Sequence, residues 1–432
     1  LGGIGTYIKA SSESDEDVGD RANDSVRVDA LQLRSKVVGE GANLGFTQQA
    51  RIEYALNGGR INTDAVDNSG SVDLSDHEVN LKTLVALLLR RGVIAGDDER
   101  NQFLAELTDD VCCSVLANNY WQSLCLSLER ERCLKDVEPF LELADQLENA
   151  GLLDRTAEFF PVRKEIQARA GQGLTRPELA VLMACAKLAL KQTLLEAPEF
   201  LSTEWTRDIL AAYFPEAVRS RYAAYLGEHS LGREIAATMI CNRVINQAGA
   251  GLLMWTDGLD AGLLIRVVGA YLAFDQILDG GRLREQVCAL DSDLATARRY
   301  ELLLRLEDAL AFLSRWALKR GQEFLPEPAL VGDWRTDLQQ YLGHLVESLS
   351  DAERPQFEAR LAELAALGFA VPEAHRLAFL DRLRDFPILM DLSLHSREAL
   401  RPRPPLNHAA FCLKYSDDGH SFLISTLLNI TV

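Results

Sequence analysis

The chain has 432 residues, 47% hydrophobic and 25% charged, with 64 acidic against 45 basic side chains and a formal net charge of −19. That length allows about two to three domains, and the apolar content is enough for real cores in a soluble globular protein. The acidic excess argues against nucleic acid or an anionic membrane as partner, because both need counterion-releasing Lys/Arg surfaces, and no run reaches the roughly 18–20 continuous apolar residues of a membrane helix.

In chain order, Gly2-Gly3-Ile4-Gly5-Thr6 has the glycines of a phosphate cradle but neither a preceding strand nor the GxGxxG spacing, so it reads as a tight turn. Leu1-Gly2-Gly3 has neither an initiating Met nor a charged-then-apolar leader pattern, and the start is expected to be a truncated edge. Ser11 to Asp24 (SSESDEDVGDRAND) is acidic and polar and reads as a solvated loop. Across about residues 1–80, short β-prone runs such as Lys36 to Val38 alternate with Gly, Asn and Asp clusters, which is the texture of an α/β segment.

The densest block runs from Val37 to Lys82. After Val37-Val38 comes Gly39-Glu40-Gly41-Ala42-Asn43. A strand ending in small residues lets a ligand approach the backbone, and the Asn carboxamide can donate and accept toward a ribose or a nicotinamide carboxamide. The bare tripeptide fits a plain turn equally well. Further on, Asn68 to Glu78 (NSGSVDLSDHE) leads into an apolar helical run from Val79 to Leu89, with Ser75 and Glu78 spaced as a capping box. Two readings of Ser75 stand: it caps a helix and nothing more, or the same helix start holds a substrate carboxylate beside its hydroxyl. The cluster Asp73, Asp76, His77, Glu78 is not read as a metal site, since successive residues entering a helix point in different directions. His77 has no second positioned partner that would make it a general base.

From about 76 to 400 helical patterns alternate with short Gly/Pro breaks. Thr175-Arg176-Pro177-Glu178 is a capping box with Pro in the first turn, followed by Leu179, Leu182, Met183, Ala186 and Leu190 on one expected buried face. Further amphipathic runs are expected at Glu99–Glu131, Leu231–Gln247, Leu259–Leu278, Leu294–Arg320 and Arg354–Leu367. Their aromatic and Met positions read as core. Arg401 to Val432 changes to a Ser/Thr-rich texture without helical period and is left unassigned. Eight cysteines (112, 113, 125, 133, 185, 241, 288 and 412) show no CxxC or Cys/His metal spacing and read as reduced, mostly core thiols.

These segments carry a resemblance to the glutamate dehydrogenase superfamily, whose members have a GAN motif and then Asn-Ala-Gly-Gly-Val-x-x-Ser-Tyr-x-Glu-Trp. Asn68, Gly70, Val72, Ser75 and Glu78 keep those relative positions, while Ser71 stands where the motif has Gly, and Asp76 and Val79 replace the aromatics. More specific is the similarity to the large bacterial NAD-specific glutamate dehydrogenases, through GGIGTYIKAS (2–11), GDRAND (19–24), EGANLG (40–45), GGRINTDAVDNS (58–69) and SDHEVN (75–80). The helical region continues it with GLLDRTAEFFP (151–161), RPELAVLMA (176–184) and REIAATMICNRVINQAG (233–249), to about residue 395.

The resemblance implies NAD-linked oxidative deamination of L-glutamate to 2-oxoglutarate and ammonia. In it, Gly41, Ala42, Asn43 and Asn68 meet the nicotinamide end of the cofactor, and Ser75 binds the substrate α-carboxylate. The family's catalytic Lys and Asp and its Gly-rich pyrophosphate turn precede the matched segments, so the catalytic residues are unknown here and the chain alone is expected to be inactive. The implied whole enzyme is a cytoplasmic homo-oligomer. The expected fold is mainly α with an N-terminal α/β part: a partial Rossmann-like remnant over 1–80, a multi-helix domain over 81–400, and the tail over 401–432. The alternative reading makes the helical region an oligomerisation or regulatory scaffold with no activity of its own.

Overall fold

The computed structural model describes residues 2–256, 258–290, 296–319, 328–380 and 383. The expected tail over 401–432 and Cys412 lie outside them. The described residues are mainly helical with a small N-terminal α/β part, as the sequence predicts. That part holds two short parallel strands, β1 (Ile8–Lys9) and β2 (Val28–Asp29), with Ile8 opposite Val28. Isolated parallel bridges Ile4–Asn43 and Ile8–Phe46 tie this segment to the turn containing Asn43, whereas the strand expected at Lys36–Val38 is reduced to a single bridge between Val37 and Arg60.

Its helices are α1 (Asp15–Val18), α2 (Gln48–Leu56) and α3 (Asp64–Asp67). Ile8 of β1, Ala50 and Tyr54 of α2, and Ala30, Phe46 and Ile61 from the segments around them form a shared core. The Ser11–Asp24 segment is largely exposed, as expected of a solvated loop, although Ser14 caps α1 within it. Gly5 sits at φ +133°, a conformation strained for any side chain, and a Cβ there would also displace the Asn23 carboxamide. The Gly2–Thr6 stretch is largely exposed, bends at Gly3 and Gly5 and pairs at Ile4 with Asn43, rather than closing the tight turn expected.

The helical region continues with α4 (Ser69–Arg90), α5 (Asp97–Glu106), α6 (Thr108–Lys135), α7 (Glu138–Asn149) and α8 (Arg163–Ala168). Then follow α9 (Arg176–Leu195), α10 (Pro198–Leu201), α11 (Glu204–Tyr213), α12 (Glu216–Leu226) and α13 (Gly232–Ala248). The expected single run from Glu99 to Glu131 is two helices, broken at Leu107, which is buried and serves as the end of α5 and the start of α6. Helix α9 is central to this region and packs against α2, α6, α7 and α13. It starts where the sequence predicts: the Thr175 N–H and hydroxyl both donate to Glu178 Oε2, at 2.6 and 2.8 Å, and the five anticipated core residues are all buried. Arg169 neutralises Glu178 through contacts of 2.8 and 2.7 Å.

The chain divides into two compact units between Val267 and Val268, within α14 (Ala261–Leu278). Helix α14 is long and apolar enough to cross a membrane by length and composition. It carries Arg266 and Asp275, however, and 67% of it is buried inside the protein, as a core helix would be. The second unit adds α15 (Gly280–Ala289), α16 (Thr296–Lys319), α17 (Pro328–Ser348), α18 (Arg354–Ala366) and α19 (Val371–Phe379). Inside it Arg284 bonds Asp275 Oδ1 at 2.6 Å and Glu307 Oε1 at 2.7 Å, while the Tyr271 hydroxyl donates to Glu307 Oε2 at 2.8 Å.

Four of the expected core thiols, Cys125, Cys133, Cys185 and Cys241, are buried. Cys112 and Cys113 depart from that expectation: both are exposed, on the solvent side of α6.

Candidate functional site

The turn after Val38 is fixed from inside by Glu40. Its carboxylate is fully buried and accepts the Phe46 N–H at 3.0 Å and two parallel Arg51 contacts of 2.8 Å, so it closes the turn on itself and ties it to α2. Burial pushes the Glu40 carboxyl up from its ordinary range, and Arg51 pulls it the other way. Arg51 also lies 3.0 Å from Asp64 Oδ1.

Helix α3 and the residue after it grip the same turn from outside. Asp67 Oδ2 accepts the Glu40 N–H at 2.8 Å, Asp64 Oδ2 accepts the Leu44 N–H at 2.8 Å, and the Asn68 carboxamide nitrogen donates to Asn43 Oδ1. Leu44 sits at φ +58°, a left-handed conformation that costs a leucine about 1–2 kcal/mol and persists only where surroundings enforce it. Ala42 is buried while Gly41 and Asn43 are exposed, so the turn turns one small residue inward and offers its neighbours to solvent. With its oxygen engaged by Asn68, Asn43 has its NH₂ group to donate outward.

Asn68 ends α3 and begins α4. Ser71, one turn on, donates its hydroxyl to Asn68 Oδ1 at 2.7 Å and so sets which way the carboxamide faces. From α6, Asn119 Nδ2 bonds the Val66 carbonyl at 2.8 Å and Ser69 Oγ at 3.1 Å, clamping the bend between the two helices. Arg176, at the start of α9, bonds Asn62 Oδ1 at 2.8 Å, and Asn62 donates to Asp67 Oδ1 at 2.7 Å. The turn is thereby braced against two helices that lie 50 to over 100 residues away in sequence.

Two family models match the chain. Residues 1–129 match the model described as bacterial NAD-glutamate dehydrogenase, catalytic domain, and residues 171–403, more than half the chain, match the model described as glutamate dehydrogenase, C-terminal. The chain belongs to the bacterial NAD-glutamate dehydrogenase family. It is 42% identical over 326 residues to the NAD-specific glutamate dehydrogenase of Pseudomonas aeruginosa, covering 74% of this chain and 19% of that protein. It is 39% identical over 380 residues to the Mycobacterium tuberculosis protein of the same name and 38% over 378 residues to that of Halomonas elongata, covering 87% and 86% of this chain and 23% of each relative. The chain thus spans about a fifth to a quarter of the length of these curated relatives.

Of the residues expected to matter in this glutamate dehydrogenase family member, the fold brings Gly41, Ala42, Asn43 and Asn68 to one place. Ser75 is different. The expected capping box at Ser75 and Glu78 does not form, because α4 already begins at Ser69 with Asn68 as its cap, which puts Ser75 two turns inside the helix with its N–H in the helical ladder. Ser75 is exposed, and Glu78 pairs with Lys82 instead. His77 turns the other way. It is buried, stacks on Tyr213 with ring centroids 4.2 Å apart, and has Nε2 3.8 Å from Asp73 Oδ1; burial lowers its pKa. Among the described residues no group of three His, Cys, Asp or Glu side chains is placed to hold a metal ion.

The bracing roles of Asp64, Asp67, Ser71, Asn119 and Arg176 were not read from the sequence. For Asp64 and Asp67 a signal existed, since TDAVDN puts both carboxylates and the Asn68 carboxamide in about one helical turn. For those on α6 and α9 there was none, because an Asn or Arg on a long helix has no local mark of its partner.

Proposed function

We propose that the protein carrying this chain oxidises L-glutamate with NAD to 2-oxoglutarate and ammonia, and that this chain supplies one wall of the cofactor and substrate cleft. The observation that carries the reading is the pairing of the Asn68 and Asn43 carboxamides at an exposed turn beside parallel strands. Two carboxamides on small-residue backbone suit the amide and ribose groups at the nicotinamide end of NAD, which when bound accepts the hydride. Asn43 offers its NH₂, Ser71 holds Asn68 in orientation, and Gly41 leaves the backbone approachable.

Ser75 lies seven residues beyond Asn68, two helical turns and about 10.5 Å of rise, on the same face of α4. Its exposed hydroxyl, flanked on that face by exposed Val72 and Val79, can hold the glutamate α-carboxylate, with the side chain rather than a helix end making the contact. The same reading makes the whole enzyme a cytoplasmic homo-oligomer, with the exposed Leu116 and Tyr120, one turn apart on α6, as apolar contact residues. Light scattering of the purified protein tests that assembly.

The central test replaces the matching fifth of the Pseudomonas aeruginosa relative with this chain and follows glutamate-dependent NADH formation. Turnover is expected. Asn68→Ala should raise the KM for NAD by about tenfold and Ser75→Ala that for glutamate, each with little effect on the other substrate. Absence of turnover in a folded chimera, or Asn68→Ala that leaves the KM for NAD untouched, would overturn the reading.

A further inference from the structure

Lys187 lies in the middle of α9, half-buried, and donates to Gln122 Oε1 of α6 at 3.2 Å. Gln122 Nε2 in turn donates to Ser69 Oγ at 3.2 Å, the same oxygen that accepts Asn119 Nδ2 at 3.1 Å. Ser69 is the first residue of α4 and adjoins Asn68, whose carboxamide meets Asn43. We infer that Lys187 is a positioning residue for the proposed nicotinamide end of the site, acting through Gln122 and Ser69 to hold Asn68 against Asn43. The inference rests on the functional reading above and adds a residue more than 100 positions from Asn68 in the sequence.

The physical case begins with symmetry. The two ends of a Gln carboxamide are nearly equal in shape but opposite in function, so an isolated Gln122 could face Ser69 with either. An ammonium group has donors only and selects the orientation in which Oε1 faces Lys187 and Nε2 faces Ser69. Ser69 Oγ then receives two donors, one from each of two residues a helical turn apart on α6, and the bend that presents Asn68 has one stable arrangement.

The second part is the environment of the amine. It makes no ion pair among the described residues; the groups facing it are Asp73 on α4, Cys125 on α6 and Cys241 on α13, and burial pushes its pKa down to about 8. Folding therefore loses stability by keeping a charged lysine there, where a methionine of similar length would pack at lower cost.

The test uses the active chimera, or any longer protein that carries this chain, with Lys187→Met, Gln122→Leu and the double variant. Lys187→Met should raise the KM for NAD about threefold to tenfold, leave kcat within about twofold, and melt no lower than the parent. Gln122→Leu should give the same KM change and the double variant no further one, since both break one relay. An unchanged KM, multiplying effects in the double variant, or a lower melting temperature with kcat falling in parallel would overturn the inference. If the parent makes no NADH from glutamate, the functional reading falls, and the relay is then judged on the 432-residue chain by exchange of the Asn68 side-chain amide protons. Lys187→Met should speed that exchange about tenfold, and unchanged exchange overturns the relay.

Discussion

Arg51 grips Glu40 through two parallel contacts, Nε to Oε2 and Nη2 to Oε1, each 2.8 Å long, with both side chains almost wholly out of water. The pair locks the GAN turn to α2. Removing one member of such a pair leaves the other charge buried, at a cost of about 3–5 kcal/mol. Asp64 remains 3.0 Å from Arg51 and should moderate the loss, so Glu40→Gln is expected to destabilise the first unit by about 3 kcal/mol in urea denaturation. A loss under about 1 kcal/mol would mean that Asp64 alone satisfies Arg51.

Leu44 pays for its left-handed backbone without burying its side chain, which is 64% exposed. Glycine adopts that conformation freely but gains freedom in the unfolded chain. The balance for Leu44→Gly is a stabilisation of about 0.5–1 kcal/mol, read as a higher urea midpoint at unchanged slope. A lower midpoint would show that the exposed side chain holds the turn.

The lowered pKa of His77 has a definite sign. In the unfolded chain the imidazole takes up its proton near its ordinary pKa of 6.5, while the folded chain resists until lower pH. Between those two values the unfolded state binds more protons, so stability falls as pH drops through about 6.5, by at most about 1.4 kcal/mol per pH unit from this group. Asp73 and Asp76 oppose the shift but do not reverse it. His77→Phe keeps a ring to stack on Tyr213 and should flatten the melting profile between about pH 5.5 and 7. An unchanged profile would place the titration elsewhere.

In the second unit Arg284 is the counter-charge for both Asp275 and Glu307, and all three are nearly inaccessible. The Tyr271 hydroxyl, pushed well above its usual range by burial, stays protonated and cannot replace the missing cation. Arg284→Met should cost about 3–5 kcal/mol and show as an earlier melting step in calorimetry. Replacing Arg284, Asp275 and Glu307 together by apolar residues should cost much less, since no unpaired charge is then left behind.

The Thr175 cap was fully legible, because a capping box depends on residues three apart and the helix periodicity after it points the same way. The GAN turn and Asn68 were legible as a motif. Ser75 was misread as a helix start for the opposite reason: Ser75 and Glu78 have capping-box spacing, but so do residues inside any helix, and the competing start at Asn68 prevailed because Asn119 and Ser71 fix the bend there. Leu107 gave no Gly or Pro signal for the break between α5 and α6.

What the sequence determined by itself was therefore everything local or periodic: the helical character, the buried face of α9, the small-residue turn and the family. Tertiary structure alone decided that Asp64, Asp67 and Asn68 bracket that turn, and that Asn119, Gln122, Lys187 and Arg176 brace it from α6 and α9. The reason is physical. Hydrophobic periodicity repeats along a chain and can be read from it, whereas a hydrogen bond between polar side chains 50 to 120 residues apart exists only once packing brings their helices together.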